Sequence, residues 1–308
     1  MPRPLKMLVL VAAVLVFGAV RLPVERRLDL QRRAAGLRDD AGARMSFREQ
    51  VNQASLFATL GGLRSLVAAI WDLWACTAWD KMDYAGVERD YRFCQRLQPR
   101  TFYYYDRGQW MMAYNAVRYF DLSSPERSDL NKLRSEAYMQ KGLDMIKEGQ
   151  RFLPNDPRIF EAEGILYRDK IRPRQAQLEA DAWLKAARCP GAPARDARFH
   201  IYALAHVPGR EEEAEAYLGG IYMQMTGRGL KPFPTLLSML ETYEIARRTE
   251  DRSLDDANYH RLRQLYDASP PSRTPLMLAT LAELERRLGI APWHGVWESA
   301  GLSAEWGR

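Results

Sequence analysis

The chain has 308 residues, 47% hydrophobic and 27% charged, a balance that excludes a disordered protein and leaves ample length for a buried core. Lysine and arginine total 45 against 39 acidic residues, a formal charge of +6, and much of the excess is arginine just after the first apolar stretch. No basic run is interleaved with a glycine–aromatic RNA motif, so the charge reads as solvated surface plus a membrane-adjacent segment, and no nucleic-acid partner is expected.

Residues 7–20, MLVLVAAVLVFGAV, form an unbroken apolar run preceded by Arg3 and Lys6 and closed by Arg21. Fourteen residues are short for a bilayer core of about 30 Å. Leu5, Leu22 and Val24 extend the stretch, and Lys6 and Arg21 can snorkel to head groups. A cleaved signal peptide is the rival reading, but a small-x-small cleavage site is missing because Phe17 stands two residues before Ala19. An uncleaved anchor over residues 1–23 is therefore expected. Arg26, Arg27, Arg32, Arg33 and Arg38 come after Arg21, and counting basic residues would keep the remainder in the cytoplasm. A very short basic tail ahead of an apolar run reads instead as a signal anchor that exports the chain beyond it. The two arguments oppose each other, with a small margin for export.

Residues 24–55 are polar, rich in arginine and alanine and interrupted by Gly36 and Gly42, which predicts a stalk of short helices. After Gly61 and Gly62, the series Leu63, Leu66, Val67, Ile70, Trp71 and Trp74 recurs every three or four residues and predicts a buried helical stripe. Trp71, Trp74, Ala75, Val87, Tyr91, Cys94 and Pro99 succeed one another at spacings suited to a helix, a turn at Lys81–Tyr84 and a second helix. A second unit opens with Phe102, Tyr105, Gly108, Gln109 and Met112 and closes with Gly142, Ile146, Gly149 and Pro154. About twenty extra residues lie between its halves. They begin with Ser123, Ser124, Pro125 and Glu126, a helix start with a capping box, and predict a lengthened second helix. A third unit places Phe160, Gly164 and Tyr167 in register, with Glu163 where an apolar residue belongs, then Ala180, Leu184 and Ala187. A fourth has Phe199, Tyr202, Ala203 and His206, a turn at Pro208 and Gly209, and Ala214, Tyr217, Leu218 and Ile221. Beyond Gly229 helical periodicity persists through Leu236, Leu237, Leu240, Tyr243 and Ile245 without that spacing.

These spacings resemble the tetratricopeptide repeat. The family's large, small and aromatic positions fall on Trp71, Trp74, Ala75, Tyr91 and Cys94, with the closing proline at Pro99 and Ala78 departing from its usual tyrosine. Tyr105, Ile146, Pro154, Phe160, Gly164 and Tyr167 complete the repeat-defining set in the next two units. The amino-terminal anchor, Gly61 to Arg64, Trp110 with Ala113, Tyr114 and Asn115, residues 154–158 and residues 284–290 look like single-pass, membrane-anchored members found in bacteria. The resemblance implies an all-α, right-handed solenoid of antiparallel helix pairs over residues 56–225, preceded by a transmembrane helix and succeeded by a helical continuation and cap over residues 226–308. It implies a non-enzymatic scaffold at the bacterial inner membrane, its soluble part extracytoplasmic. Such a scaffold binds a partner protein or peptide within a larger envelope assembly for secretion, pilus or polysaccharide export.

In that family the first helix of each unit lines the groove. Tyr104, Arg107, Met111 and Asn115, spaced by three and four, are the candidate partner-binding face; packing against the lengthened helix is the alternative use of the same residues. No catalytic, cofactor or metal site is expected. The four histidines include no pair at ligand spacing, Gly227 and Gly229 do not lead into a helix start, and no Gly-x-Ser-x-Gly elbow occurs. Cys76, Cys94 and Cys189 are an odd set with no short spacing, neither a zinc site nor a disulfide framework. The alternative function is an accessory subunit or degenerate enzyme with a small-molecule pocket at Trp293, His294 and Trp297, residues that read equally well as an amphipathic cap.

Overall fold

Short polar turns set the helix boundaries. In the computed structural model, which describes residue 27 and residues 63–122, 128–291 and 294–296, helix α1 (Arg64–Asp80) ends at a turn where Met82 adopts φ 57°. The Asp83 carboxylate accepts the Gly86 N–H at 2.9 Å and caps α2 (Tyr84–Leu97), as the expected turn there requires. Helix α3 (Phe102–Trp110) runs through a π-helical segment (Met111–Ala116) into α4 (Val117–Asp121). Helix α5 (Ser128–Phe152) has 25 residues, so the insertion does lengthen the second helix. Helix α6 (Pro157–Asp169) starts with proline in its first turn and the Asp156 carboxylate on the Arg158 N–H. Then come α7 (Ala176–Arg188), α8 (Ala194–Leu204), α9 (Glu211–Gly227), α10 (Pro234–Arg248), α11 (Asp255–Ala268) and α12 (Pro275–Leu288). Thr274 caps α12 through the Met277 N–H, and Gly289 ends it at φ 68°.

Among the described residues there is no strand, and the all-α expectation holds. No helix there is long and apolar enough to cross a membrane; the expected anchor over 1–23, nearly all of the stalk, the helix start at 123–126, and Trp293 and Trp297 lie outside the described residues. The chain divides into two compact units, one reaching Arg174 and including Arg188–Ala192, the other taking Gln175–Ala187 and Pro193 onward. The division falls between α6 and α7, the two halves of the expected third helix pair.

In the first unit α1 and α2 pack on Ala68, Ala75, Val87, Tyr91 and Cys94, all fully buried, and the Cys94 thiol donates to the Ala68 carbonyl at 3.3 Å. This corrects the expected stripe. Leu66, Ile70 and Trp74 are exposed, Trp74 by 52%, and Trp71 is half-buried with its ring 4.5 Å from Phe93. The helix turns its alanines inward because small residues let two backbones approach; the larger apolar residues fall on the outer side. Tyr105 and Ile146 are fully buried, Phe160, Gly164 and Tyr167 are buried, Pro154 is exposed in its turn, and the Pro99 carbonyl accepts the Tyr105 hydroxyl at 3.1 Å. Glu163 is buried at its apolar position because Gln150 Nε2 donates to it at 2.7 Å. Helix α5 fits the π segment through Gly142, where a Cβ would lie 2.8 Å from Ala113 Cβ and 3.1 Å from the Gln109 carbonyl.

In the second unit one core gathers Leu204, Ala214, Leu218, Leu236 and Met239, and another gathers Ile245, Leu262, Met277, Leu281, Leu284 and Val296. The Trp183 ring lies 4.9 Å from Phe199, and His206 is buried with Nε2 3.2 Å from the Pro271 carbonyl. Glu285 is completely buried and accepts the Val296 N–H on both oxygens, at 2.9 and 3.2 Å. A Cβ on Gly295 would lie 2.1 Å from that carboxylate, so only glycine passes there. Val296 thereby closes the second core, as a cap would, while His294 is exposed.

This packing sets two expected outcomes. Gly142→Ala is expected to lower stability by about 1–3 kcal/mol in chemical denaturation. Gly220→Ala, exposed in α9 with nothing within 4 Å of its Cβ position, is expected to raise it by about 0.5–1 kcal/mol. Hydrogen bonds, chiefly from Arg286 and then from Arg287, hold Glu283 down to about 2 from the ordinary 4.5, and burial opposes them without prevailing. Its folded-state pKa is depressed, so its contribution is full above pH 4.5 and is lost as pH falls through about 2. The group is partly exposed, so Glu283→Gln should cost only a few tenths of a kcal/mol near neutrality. That difference should shrink as pH falls toward 2 and vanish below it in denaturation series run at each pH.

Candidate functional site

The four residues expected to share an exposed face do not share one. Tyr104 is 9% exposed and Met111 1%, both within the core that α3 forms with α1 and α2. The Tyr104 carbonyl accepts Gln95 Nε2 at 3.2 Å, and burial pushes its phenol up to about 12. Asn115 is half-buried; its Nδ2 lies 3.2 Å from Met111 Sδ, and its carbonyl accepts the Tyr84 hydroxyl at 3.3 Å. Arg107 is half-buried as well, its guanidinium 5.5 Å from the Trp110 ring centroid. The expected stripe turns inward because α3 is wedged between α2 and α5, and the π segment breaks the three-and-four register beyond Trp110.

A different set meets at this place. Asp72 and Cys76 lie one turn apart on α1, Tyr91 rises from α2, and Tyr103, Arg107 and Trp110 succeed one another on α3. The Tyr103 hydroxyl donates to Asp72 Oδ2 at 3.0 Å and ties α1 to α3. Tyr91 is fully buried, and its hydroxyl interacts with the Asp72 carboxylate and the Arg107 guanidinium. Burial pushes the Tyr91 phenol far up, and the Asp72 carboxylate adds to the effect. Burial works against the Arg107 cation, but a hydrogen bond with Tyr91 and the charges of Tyr91 and Tyr103 more than offset it, so Arg107 stays charged. Tyr103 and Trp110 stand beside this cluster, 49% and 41% exposed.

The sequence carried a signal for this set that spacing by 104, 107 and 111 missed. Asp72 interrupts an apolar helix, and Tyr103, Arg107 and Trp110 repeat at four and three on the neighbouring face of α3. Among the described residues no group of three or more histidine, cysteine or carboxylate side chains could hold a metal ion. An open groove of about 1000 Å³ in the second unit is lined by Tyr222, Leu237, Leu240 and Leu265. Its Glu215 and Glu241 pair with Arg247 and Arg261. Compared with known proteins, the chain matches no family model, no curated protein and no solved structure.

Cys76 beside the cluster and Cys189 are half-buried, whereas Cys94 is fully buried and burial pushes its thiol up to about 12. Iodoacetamide at pH 8 is therefore expected to alkylate Cys76 and Cys189 in the native protein and Cys94 only after denaturation, read by peptide mass spectrometry.

Proposed function

We propose that this protein is a scaffold of the tetratricopeptide-repeat kind that binds a partner protein or peptide on the α1–α3 face of its first unit. Helix pairs joined by short capped turns support that reading, as does a surface rich in aromatic side chains. The observation that carries it is the polar cluster of Asp72, Tyr91 and Arg107, drawn from three helices, with Tyr103 and Trp110 exposed beside it. A surface of this composition, aromatic anchors around a desolvated polar centre, is what protein interfaces concentrate in their strongest contacts. The apolar run at residues 7–20 would hold the scaffold at a bacterial inner membrane, in an envelope assembly, with the binding face on the extracytoplasmic side. No cofactor enters this function.

A photo-crosslinking residue at position 110 in the membrane-bound full chain tests it. One discrete adduct is expected, and Tyr103→Ala with Arg107→Ala should reduce its yield at least about fivefold, a loss typical of a few central contacts. An unchanged yield with the helical content intact would contradict the proposal.

A further inference from the structure

The outer side of α1 is apolar and exposed, and its residue pattern says what fits there. Leu66, Ile70, Leu73 and Thr77 recur at intervals of four, three and four, the spacing of a coiled-coil seam. They lie opposite Ala68 and Ala75, which pack on α2, so the seam faces away from its own unit. All four are exposed, Leu73 by 67%, and the exposed Trp74 flanks them. Thr77 turns its hydroxyl back onto the Leu73 carbonyl at 3.1 Å, so covering it would trap no unpaired donor. Between Arg64 and Asp80 the one charged residue is Asp72, and Tyr103 bonds to it on another side of the helix. A repeat stack that ends in water needs a polar outer face, and α1 presents an apolar one.

We infer that two copies of the chain meet on this face, α1 packing antiparallel against α1 of a second copy about a two-fold axis. The choice of occupant rests on self-complementarity. Positions 66 and 77 share a midpoint with positions 70 and 73. A two-fold axis through that midpoint sets Leu66 against Thr77 of the second copy and Ile70 against Leu73 of the second copy. It also brings the basic start of one helix, at Arg64, beside the acidic end of the other, at Asp80, and opposes the two helix dipoles. A parallel pair would instead set Asp80 beside Asp80.

A lipid surface is a poorer match. A helix that lies in a bilayer interface carries lysine and arginine along its polar borders, and α1 has neither beyond Arg64 at its start. The seam is also distinct from the partner-binding face. Asp72 lies roughly a third of a turn around the helix from it, so self-association and partner recognition can be lost separately.

Disulfide trapping in membranes that carry the full chain tests the inference. The background has Cys76→Ser and Cys189→Ser, which remove the half-buried thiols and leave the fully buried Cys94. Leu66→Cys combined with Thr77→Cys is expected to give a covalent dimer on mild oxidation with copper phenanthroline, read on non-reducing gels. Leu66→Cys alone should give none, because about 17 Å of helix separates the two thiols along an antiparallel pair. Leu133→Cys, exposed to a similar degree on α5, should give none either. Adding Leu73→Glu to the double-cysteine chain buries a charge in each copy and should lower the dimer yield at least about tenfold. Leu73→Ala, which introduces no charge, should lower it at least about threefold. Circular dichroism should show the same helical content in every variant.

No covalent dimer from the double-cysteine chain would overturn the inference and leave the face to residues 1–62 or to another partner. A dimer from Leu66→Cys alone as abundant as from the pair would overturn it in favour of a parallel contact. A yield that both Leu73 substitutions leave unchanged would overturn it as well.

Discussion

The close approach of α1 to α2 is the constraint on which the first unit depends. Ala68, Ala75 and Cys94 are the side chains that allow it, and the thiol bond from Cys94 to the Ala68 carbonyl marks how near the backbones come. Larger residues at any of the three would push the helices apart, since interiors packed at crystal density have no slack for an added methylene. With α1 seated there, Tyr91 is held beneath both α1 and α3, and Gln95 reaches the Tyr104 carbonyl to fix α3 against α2. The polar cluster is thus a consequence of core geometry: Asp72, Tyr91 and Arg107 come from three helices that the small-residue contact positions.

Helix limits were legible in the sequence because turn chemistry is local. Asp83, Pro157 with Asp156, and Thr274 act on amides two or three residues away, and a reading of neighbours suffices to place them. The long α5 was legible for the same reason. Rotation of a helix about its axis was not. Along α1 the large apolar residues outnumber the small ones, so periodicity pointed to Leu66, Ile70 and Trp74; which stripe is buried depends on α2, a partner the window does not contain. The π segment also shifts the register of α3 just where three-and-four spacing puts Met111 and Asn115 on an exposed face. Glu163 and Glu285 were illegible for a third reason. A buried carboxylate is tolerable only with its donor, and the donors, Gln150 Nε2 and the Val296 N–H, lie 13 and 11 residues away.

Both units tie their helices together through buried polar groups. In the second unit Glu285 receives two contacts from one backbone amide, Ser238 bonds to Ser272 at 2.9 Å and His206 bonds to Pro271; these groups fix turns and the segment at 294–296. In the first unit Asp72, Tyr91 and Arg107 join three helices, and Tyr103 and Trp110 are exposed beside them. Exposed aromatic side chains next to a charged group are what recognition surfaces concentrate, and they make the α1–α3 face the strongest candidate.

The stability of Tyr91→Phe tests most directly whether the α1–α3 face is built on this cluster, because it asks whether the Tyr91 hydroxyl ties Asp72 and Arg107 together. Removing a buried hydroxyl that interacts with both should cost about 1–1.5 kcal/mol in denaturation, the usual worth of a made hydrogen bond. An unchanged or raised midpoint would show that the hydroxyl joins nothing and would contradict a cluster that fixes the three helices at this face.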